Sequence, residues 1–380
     1  MSSRASWPLF WIRGARIAMA VYAPWSGLAC SFGPHSVATP GGPEVSAAPE
    51  APCASSATAL VPQSVPFQQL SRMDCLLDAR RLGEVARMIG DLGDGFSDDA
   101  PLMRAVSERL MRLLRTPGRL SPLPYRVRLA ESSLPVPSVE AQVAGRSGLL
   151  IWDSGAEATI LNESLCSELG LRRIARTAVL NASGEVVSGP YTAILNEALV
   201  LGNATLDLPA VVCVDLQNVA EIEPRILGVL GGNALGSSSY QLSRARSELA
   251  LGASLPADLR LLEAEFEDGL IHVRAEANGK SLQFLLDTGA DFSVLSERVA
   301  EELNLSTRSE GGARTTYQFG GRVEEPGDRV AARLFVTGDE RREGVEFRVG
   351  EENLLGLDFI GDRTLVVDRE RGVVGLSSVR

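Results

Sequence analysis

Histidine is almost absent from this chain of 380 residues, which carries only His35 and His272. A sequence so poor in imidazole has little means of building a Ser-His-Asp or Cys-His nucleophile, or a His-rich zinc site. Its five cysteines include no Cys-x-x-Cys spacing, the usual mark of a thiolate metal or redox site. Aromatics make up 5% of the residues and the net charge is -11, with no basic stripe interleaved with aromatics. That excludes a nucleic-acid footprint and leaves an acidic surface whose ordinary role is solubility. Long hydrophobic runs are missing too. The stretch from Ile17 to Ala29 is only weakly apolar and is interrupted by Pro24, so no transmembrane span is expected.

What is present is the composition of a globular chain, 45% apolar and 22% charged, long enough for two or three domains. Residues 1–36 read as an export-signal-like leader, with Arg4, Arg13 and Arg16 ahead of the apolar stretch. Leu28-Ala29-Cys30 loosely resembles a bacterial lipoprotein cleavage site, although Gly27 stands where such sites carry an aliphatic residue. Cys30 is therefore a candidate lipid anchor, and an exported, periplasmic or envelope-associated protein is expected. The alternative is an unprocessed leader, since the start is rich in aromatics (Trp7, Phe10, Trp11). Residues 37–65, rich in Ala, Pro and Ser, form a linker. With Cys30 set aside, Cys53, Cys75, Cys166 and Cys213 are compatible with two disulfides or with small buried thiols, and spacing alone decides neither.

Residues 66–118 change to helical periodicity. One stripe runs from Phe67 through Leu70, Met73, Leu77, Leu82, Val85 and Ile89 to Leu92, broken by Gly93 and Gly95. A second runs from an N-cap at Ser97 through Leu102, Val106, Leu110 and Leu113 to Pro117-Gly118. The expectation is an amphipathic hairpin packed on the rest. The alternative, an inhibitory pro-segment, fits less well because the charges roughly balance, whereas a mask for an acidic cleft is expected to be basic.

The rest of the chain is a repeat. Leu149-Leu150-Ile151-Trp152-Asp153-Ser154-Gly155-Ala156 returns 134 positions later as Phe284-Leu285-Leu286-Asp287-Thr288-Gly289-Ala290. Each copy then enters a hydroxyl-led aliphatic run, Thr159-Ile160-Leu161 and Ser293-Val294-Leu295. The same shift superposes Val139 on Val273, Gly145 on Gly279, Glu163 on Glu297 and Leu169 on Leu303, too much for a chance motif. A second anchor, Val229-Leu230-Gly231-Gly232-Asn233, matches Leu354-Leu355-Gly356-Leu357-Asp358 at an offset of 125, so the first copy carries nine extra residues between its anchors. Both copies read as β-rich, with a turn at Gly145-Arg146 and one at Asn278-Gly279, and with short helices at 163–171 and 297–305 after the Asp loops. Domains are expected at 122–254 and 257–380.

Two carboxylates held about 3 Å apart cannot both ionise cheaply and so share one proton. One can then act as base while the other acts as acid, which is what activating a water for attack on a carbonyl requires. Gly155 and Gly289 permit tight turns and let backbone donors approach the carboxylates.

An apolar run into Asp-Ser/Thr-Gly-Ala, followed downstream by an aliphatic-aliphatic-Gly signature and present twice, resembles the retropepsin-like aspartic proteases over most of 137–380. The resemblance implies a mainly β fold of two tandem β-barrel lobes related by a pseudo-two-fold axis, preceded here by the small helical region. It implies one catalytic aspartate per lobe, Asp153 and Asp287, with Ser154 and Thr288 bonding across the loops to hold them in register. It also implies a polypeptide substrate, no cofactor or metal, and a site completed within one chain, so that a monomer suffices. Flap hairpins map to about 181–191 and 313–322, with Gly184, Gly189 and Gly320 as pliable points and Tyr317 as either a flap aromatic or an ordinary strand residue. Ala156 and Ala290 stand where pepsin-like enzymes usually carry a hydroxyl residue. With that donor to the carboxylate missing, a mildly acidic pH optimum is expected. Aspartic endopeptidase is the leading function; a catalytically silent peptide-binding module of the same fold is the alternative. Glu157 and Asp291, next to the two motifs, are expected to make structural or surface contacts.

Overall fold

The computed structural model describes residues 16–17, 65–78, 81–93, 100–176, 179–180, 186–187, 189–195, 197–236, 238–318 and 321–378. Most of the leader with Cys30, the linker with Cys53, the N-cap Ser97, and Gly184 and Gly320 lie outside those residues. Of the leader, Arg16–Ile17 forms a short strand against Val179–Leu180.

The helical region holds three helices, not two: α1 (Val65–Asp78), α2 (Leu82–Gly93) and α3 (Ala100–Arg115). The single stripe expected over 67–92 is broken because the step from Leu77 to Leu82 is five residues, which a 3.6-residue period does not accommodate. Arg81 N–H donates to Leu76 O at 2.8 Å just past the end of α1. Met73, Leu76, Val85, Ile89, Leu110 and Leu113 are fully buried, in one continuous core with Ile151, Leu230 and Leu365 of the β-rich part. Arg109 ties α3 to α1 through Asp74 at 2.5 Å.

Each repeat builds its own sheet, ten-stranded in the first lobe and eight-stranded in the second. Ser138–Val143 and Arg146–Trp152 form the opening hairpin of the first lobe, Leu270–Ala277 and Lys280–Leu286 that of the second. Ala144 and Gly145 have φ of 46° and 79°, and Asn278 and Gly279 have 52° and 84°, the double left-handed turn that matches strand twist. The first turn thus sits one residue earlier than expected, because Arg146 already pairs with Val143. After each Asp loop come a short strand (Ile160–Asn162, Val294–Ser296) and a helix (Glu163–Glu168, Glu297–Glu302). The helices stop short of the expected 171 and 305. Gly170 and Asn304 adopt φ of 60° and 51°, and Leu171 and Leu305 N–H groups reach back to Cys166 O and Ala300 O at 3.0 Å. This left-handed cap ends a helix by satisfying its last carbonyls.

Ile226–Leu230 then slips between the Asp-bearing strand, to which it is parallel, and Ile160–Asn162, to which it is antiparallel; Leu354–Leu355 does the same in the second lobe. Between Val214 and Ile226 the first lobe inserts the helix Gln217–Ala220, whereas the second goes from Gly350 to Leu354 with no helix. The Cys166–Cys213 disulfide joins the first-lobe helix to the strand Ala210–Val214, and Cys75 is also disulfide-bonded. Arg119–Ser121, before the expected start at 122, already pairs with Ala204–Asp207.

A six-stranded sheet unites the lobes. At its centre Tyr240–Ser243 runs antiparallel to Thr364–Asp368, with Tyr240 opposite Val367 and Ser243 opposite Thr364. Glu248–Leu251 and Val373–Ser377 flank this pair, and Tyr125–Arg128 and Arg260–Leu261 form the edges. Each strand on one side has its repeat counterpart on the other, so the pseudo-two-fold axis passes between the central two. No helix among the described residues is long and apolar enough to cross a membrane.

Candidate active site

Asp153 and Asp287 each follow the last residue of a buried strand, and both are 0% exposed. Their backbone N–H groups donate to Leu230 O at 3.1 Å and Leu355 O at 2.9 Å, so the inserted strand of each lobe fixes where its aspartate begins. The glycines of the downstream signature are demanded by this crossing. A Cβ on Gly231 would lie 2.5 Å from Ala158 C and 2.9 Å from Ala156 O, and one on Gly356 would lie 2.5 Å from Phe292 C. Any larger residue would push the inserted strand off the Asp loop.

Behind the glycines, Asn233 Oδ1 accepts from Thr159 N–H and Oγ1 at 2.8 and 2.7 Å. Asp358 Oδ1 accepts from Ser293 N–H and Oγ at 2.8 and 2.6 Å. The hydroxyl that opens each aliphatic run is therefore the residue that locks the loop to the second anchor. Burial raises the Asp358 carboxyl above its usual range, against these donors from Ser293. Burial also raises Asp291, with Arg244 pulling the other way and Asp358 adding to the rise.

The two loops meet tip to tip. Ser154 N–H donates to Thr288 Oγ1 at 3.0 Å, and Thr288 N–H to Ser154 Oγ at 3.1 Å. Ser154 Oγ donates to Leu286 O and Thr288 Oγ1 to Trp152 O, each at 2.7 Å. These four bonds form a reciprocal lattice in which every hydroxyl both donates and accepts. Within each loop Gly155 N–H donates to Asp153 Oδ1 and Gly289 N–H to Asp287 Oδ1, both at 2.8 Å. Gly155 lies so close across the junction that a Cβ there would stand 2.5 Å from Asp287 Cγ.

Burial pushes the Asp153 carboxyl well above the ordinary carboxylate range. The Asp287 carboxylate adds to this by repulsion and by a side-chain hydrogen bond, while the N–H groups of Gly155 and Ala156 pull the other way. The rise thus comes from burial and from Asp287, and what Ala156 contributes is a backbone N–H that pulls the other way. Ala156 and Ala290 are fully buried.

Two neighbours carry no motif of their own. Trp152 packs edge-on against Tyr240, ring centroids 5.2 Å apart, and both are buried. Glu157, 7% exposed, is paired with Arg115 of α3 at 3.2 Å. Trp152 was visible only as one more apolar residue of a strand, and nothing in the sequence linked Arg115 to the loop.

The flap regions both contain hairpins. Val179–Leu180 pairs with Val186–Val187, and Arg308–Gln318 pairs with the long strand Gly321–Thr337. Tyr317 stands opposite Arg322 near the end of that second hairpin. Gly189, exposed with φ of 94°, lies just before the strand Tyr191–Ile194 and not in the hairpin itself. Among the described residues no cluster of three His, Cys, Asp or Glu is placed to hold a metal ion.

A family model described as aspartyl protease matches residues 139–234 and 273–359, one segment in each lobe. No curated protein matches the chain. Solved structures that match include basic 7S globulin from soybean, at 14% identity and a TM-score of 0.38, covering 69% of this chain and 96% of that one. A retropepsin-like aspartic protease from Rickettsia conorii matches at 18% identity and a TM-score of 0.23, covering 31% of this chain and 89% of that one. The two segments fall on the two lobes that carry Asp153 and Asp287, and the chain has the retropepsin-like aspartic protease fold, with both lobes in one polypeptide.

Proposed function

We propose that this protein is an aspartic endopeptidase that hydrolyses peptide bonds with one carboxylate from each lobe. The observation that carries the reading is the junction itself: two fully buried aspartates on loops locked together by four reciprocal hydrogen bonds. A buried carboxyl raised by its twin is costly to keep unless the shared proton is used. A water between the two would lose a proton to the ionised carboxylate as its oxygen attacks the peptide carbonyl. The protonated partner would meanwhile donate to the developing oxyanion. Polypeptide substrate would lie extended under the two flap hairpins, bonding through its backbone as an added strand. Since the lobes pair within one chain, a monomer suffices.

Export suits the same reading. The Cys166–Cys213 bond belongs to an oxidising compartment, in line with a signal-like leader and with Cys30 as a lipid-anchor candidate. The expected pH dependence follows from the dyad: activity needs one proton on the pair, and a raised carboxyl keeps it into the mildly acidic range. Cleavage of an unfolded protein mixture by the full chain should peak between about pH 4 and about pH 6. A peak below about pH 3, where ordinary carboxyls are already protonated, would contradict the assignment.

A further inference from the structure

We propose that Arg115, the last residue of α3, is a positioning residue for the Asp153 loop, so that the helical region serves the working site. Three parts of the chain meet at its guanidinium. One nitrogen pairs with Glu157 at 3.2 Å, four residues beyond Asp153 on the same loop, and another pairs with Asp268 at 2.9 Å, in a turn of the second lobe. Glu157 is buried while Asp268 is half exposed, so the first contact holds a desolvated charge and the second anchors the cation from the opposite lobe.

The junction is built tightly around these pairs. The turn Asp268–Gly269, with φ of 50° and 86°, wedges between the two first-lobe anchors. A Cβ on Gly269 would stand 3.0 Å from Glu157 O and 3.3 Å from Gly232 Cα. Gly232 N–H donates to Ala156 O at 2.7 Å, and Gly118, just after α3, donates its N–H to Asn233 O at 2.7 Å. The segment leaving α3 therefore touches the same Gly-Gly-Asn anchor that locks Thr159.

The pseudo-symmetry shows that this use of a helix is peculiar to one lobe. Glu157 and Asp291 occupy the same repeat position, each four residues after its aspartate. Asp291 has Arg244 in its electrostatic surroundings, from the turn between Tyr240–Ser243 and Glu248–Leu251. The counterpart of Arg244, by the offset of 125, is Arg369 in the matching turn of the second lobe. Arg369 donates to Gly269 O and lies 4.9 Å over the Phe266 ring, bracing the wedge, while the cation at Glu157 comes from α3. A device that a strictly symmetric pair of lobes would draw from its own hairpins is here supplied from outside them.

The kinetic consequence rests on the endopeptidase reading; the structural one does not. Hydrogen exchange of the full chain should therefore be measured for wild type, Arg115→Gln, Arg115→Lys and Arg112→Gln, the last removing the ion pairs of the same helix with Asp74 and Asp78 of α1. Arg115→Gln should speed exchange over 153–158 and 231–234 by about tenfold, with Arg115→Lys in between and Arg112→Gln unchanged. Turnover in Arg115→Gln should fall about tenfold with KM within about twofold, the pattern of a displaced reacting group. If Arg115→Gln does not fold, Glu157→Gln removes the same pair from the loop side and should show the same local rise. Unchanged exchange in both, or an equal rise in Arg112→Gln, would overturn the proposal. Absence of wild-type cleavage would count against the protease reading alone, because the exchange comparison would still decide the role of Arg115.

Discussion

Asp153 is held by forces that oppose one another. Two backbone donors favour its charge, while burial and the neighbouring Asp287 disfavour it more strongly. Its folded pKa therefore lies above its unfolded one, near 3.9 for an ordinary aspartate, roughly. Between those values the native chain holds more protons than the unfolded chain, so the stabilising contribution is full below the ordinary range and is lost as pH rises through the raised value. Asp287→Asn removes the repulsion. It should raise the unfolding temperature near pH 7, by the equivalent of about 1 kcal/mol or more, with the gain shrinking as the pH falls below the ordinary carboxylate range. Thermal melts followed by circular dichroism would check this, and a destabilised variant at neutral pH would contradict it. Glu223 behaves in the opposite sense. Its hydrogen bond with Arg225 at 2.9 Å lowers its pKa to about 2, so its contribution is present at neutral pH and is lost on acidification. At this scale the aspartates and their hydroxyl neighbours stood out in the sequence because each sits in a duplicated motif. The packing of Trp152 on Tyr240 and the pairing of Arg115 with Glu157 did not, since contacts made across distant segments leave no local pattern.

Among the elements, the opening hairpins and the short helices after each Asp loop were legible from alternation and from turn residues. Their ends were not, because a left-handed cap at Gly170 or Asn304 is a matter of one dihedral angle. The helical region differs from its sequence pattern by one break, where five residues separate Leu77 from Leu82 and the stripe passes from one helix to the next. The cysteines were legible only as an even set. In the fold, Cys166 and Cys213 are 47 residues apart in sequence and tie the first-lobe helix to the strand that runs parallel to Ile160–Asn162. A closed loop of that length removes about 4 kcal/mol worth of chain entropy from the unfolded state. Replacing both residues by Ser should lower the unfolding midpoint in urea correspondingly. An unchanged midpoint would show that the helix is held by packing alone.

The whole molecule is one structure in which neither lobe is finished by itself. The central strands Tyr240–Ser243 and Thr364–Asp368 pair with each other across the pseudo-two-fold axis, and the four hydroxyl bonds between the Asp loops span the same boundary. Separated halves would expose two sheet edges and two unsatisfied hydroxyl-bearing loops. Residues 65–254 and 257–380 made apart should aggregate or stay unfolded, and should recover native circular dichroism only when refolded together; halves that fold alone as monomers would contradict this. The repeat made two equivalent units readable from the sequence, through a duplicated motif with a duplicated anchor; that they face one another was implied only by the resemblance to retropepsin-like aspartic proteases. The extra length of the first copy was legible from its anchors, but not the helix Gln217–Ala220 formed in that lobe only, nor the strand Gly321–Thr337, whose first-lobe counterpart is divided.

Asp153 and Asp287 are proposed to form one shared dyad that cleaves polypeptides. The most direct measurement compares full-length wild type, Asp153→Asn and Asp287→Asn on an unfolded protein mixture between about pH 4 and about pH 7. A shared dyad requires cleavage by wild type and a loss of at least about a thousandfold in each variant, with circular dichroism unchanged. Cleavage persisting in either folded variant, or none by folded wild type across that range, would contradict it.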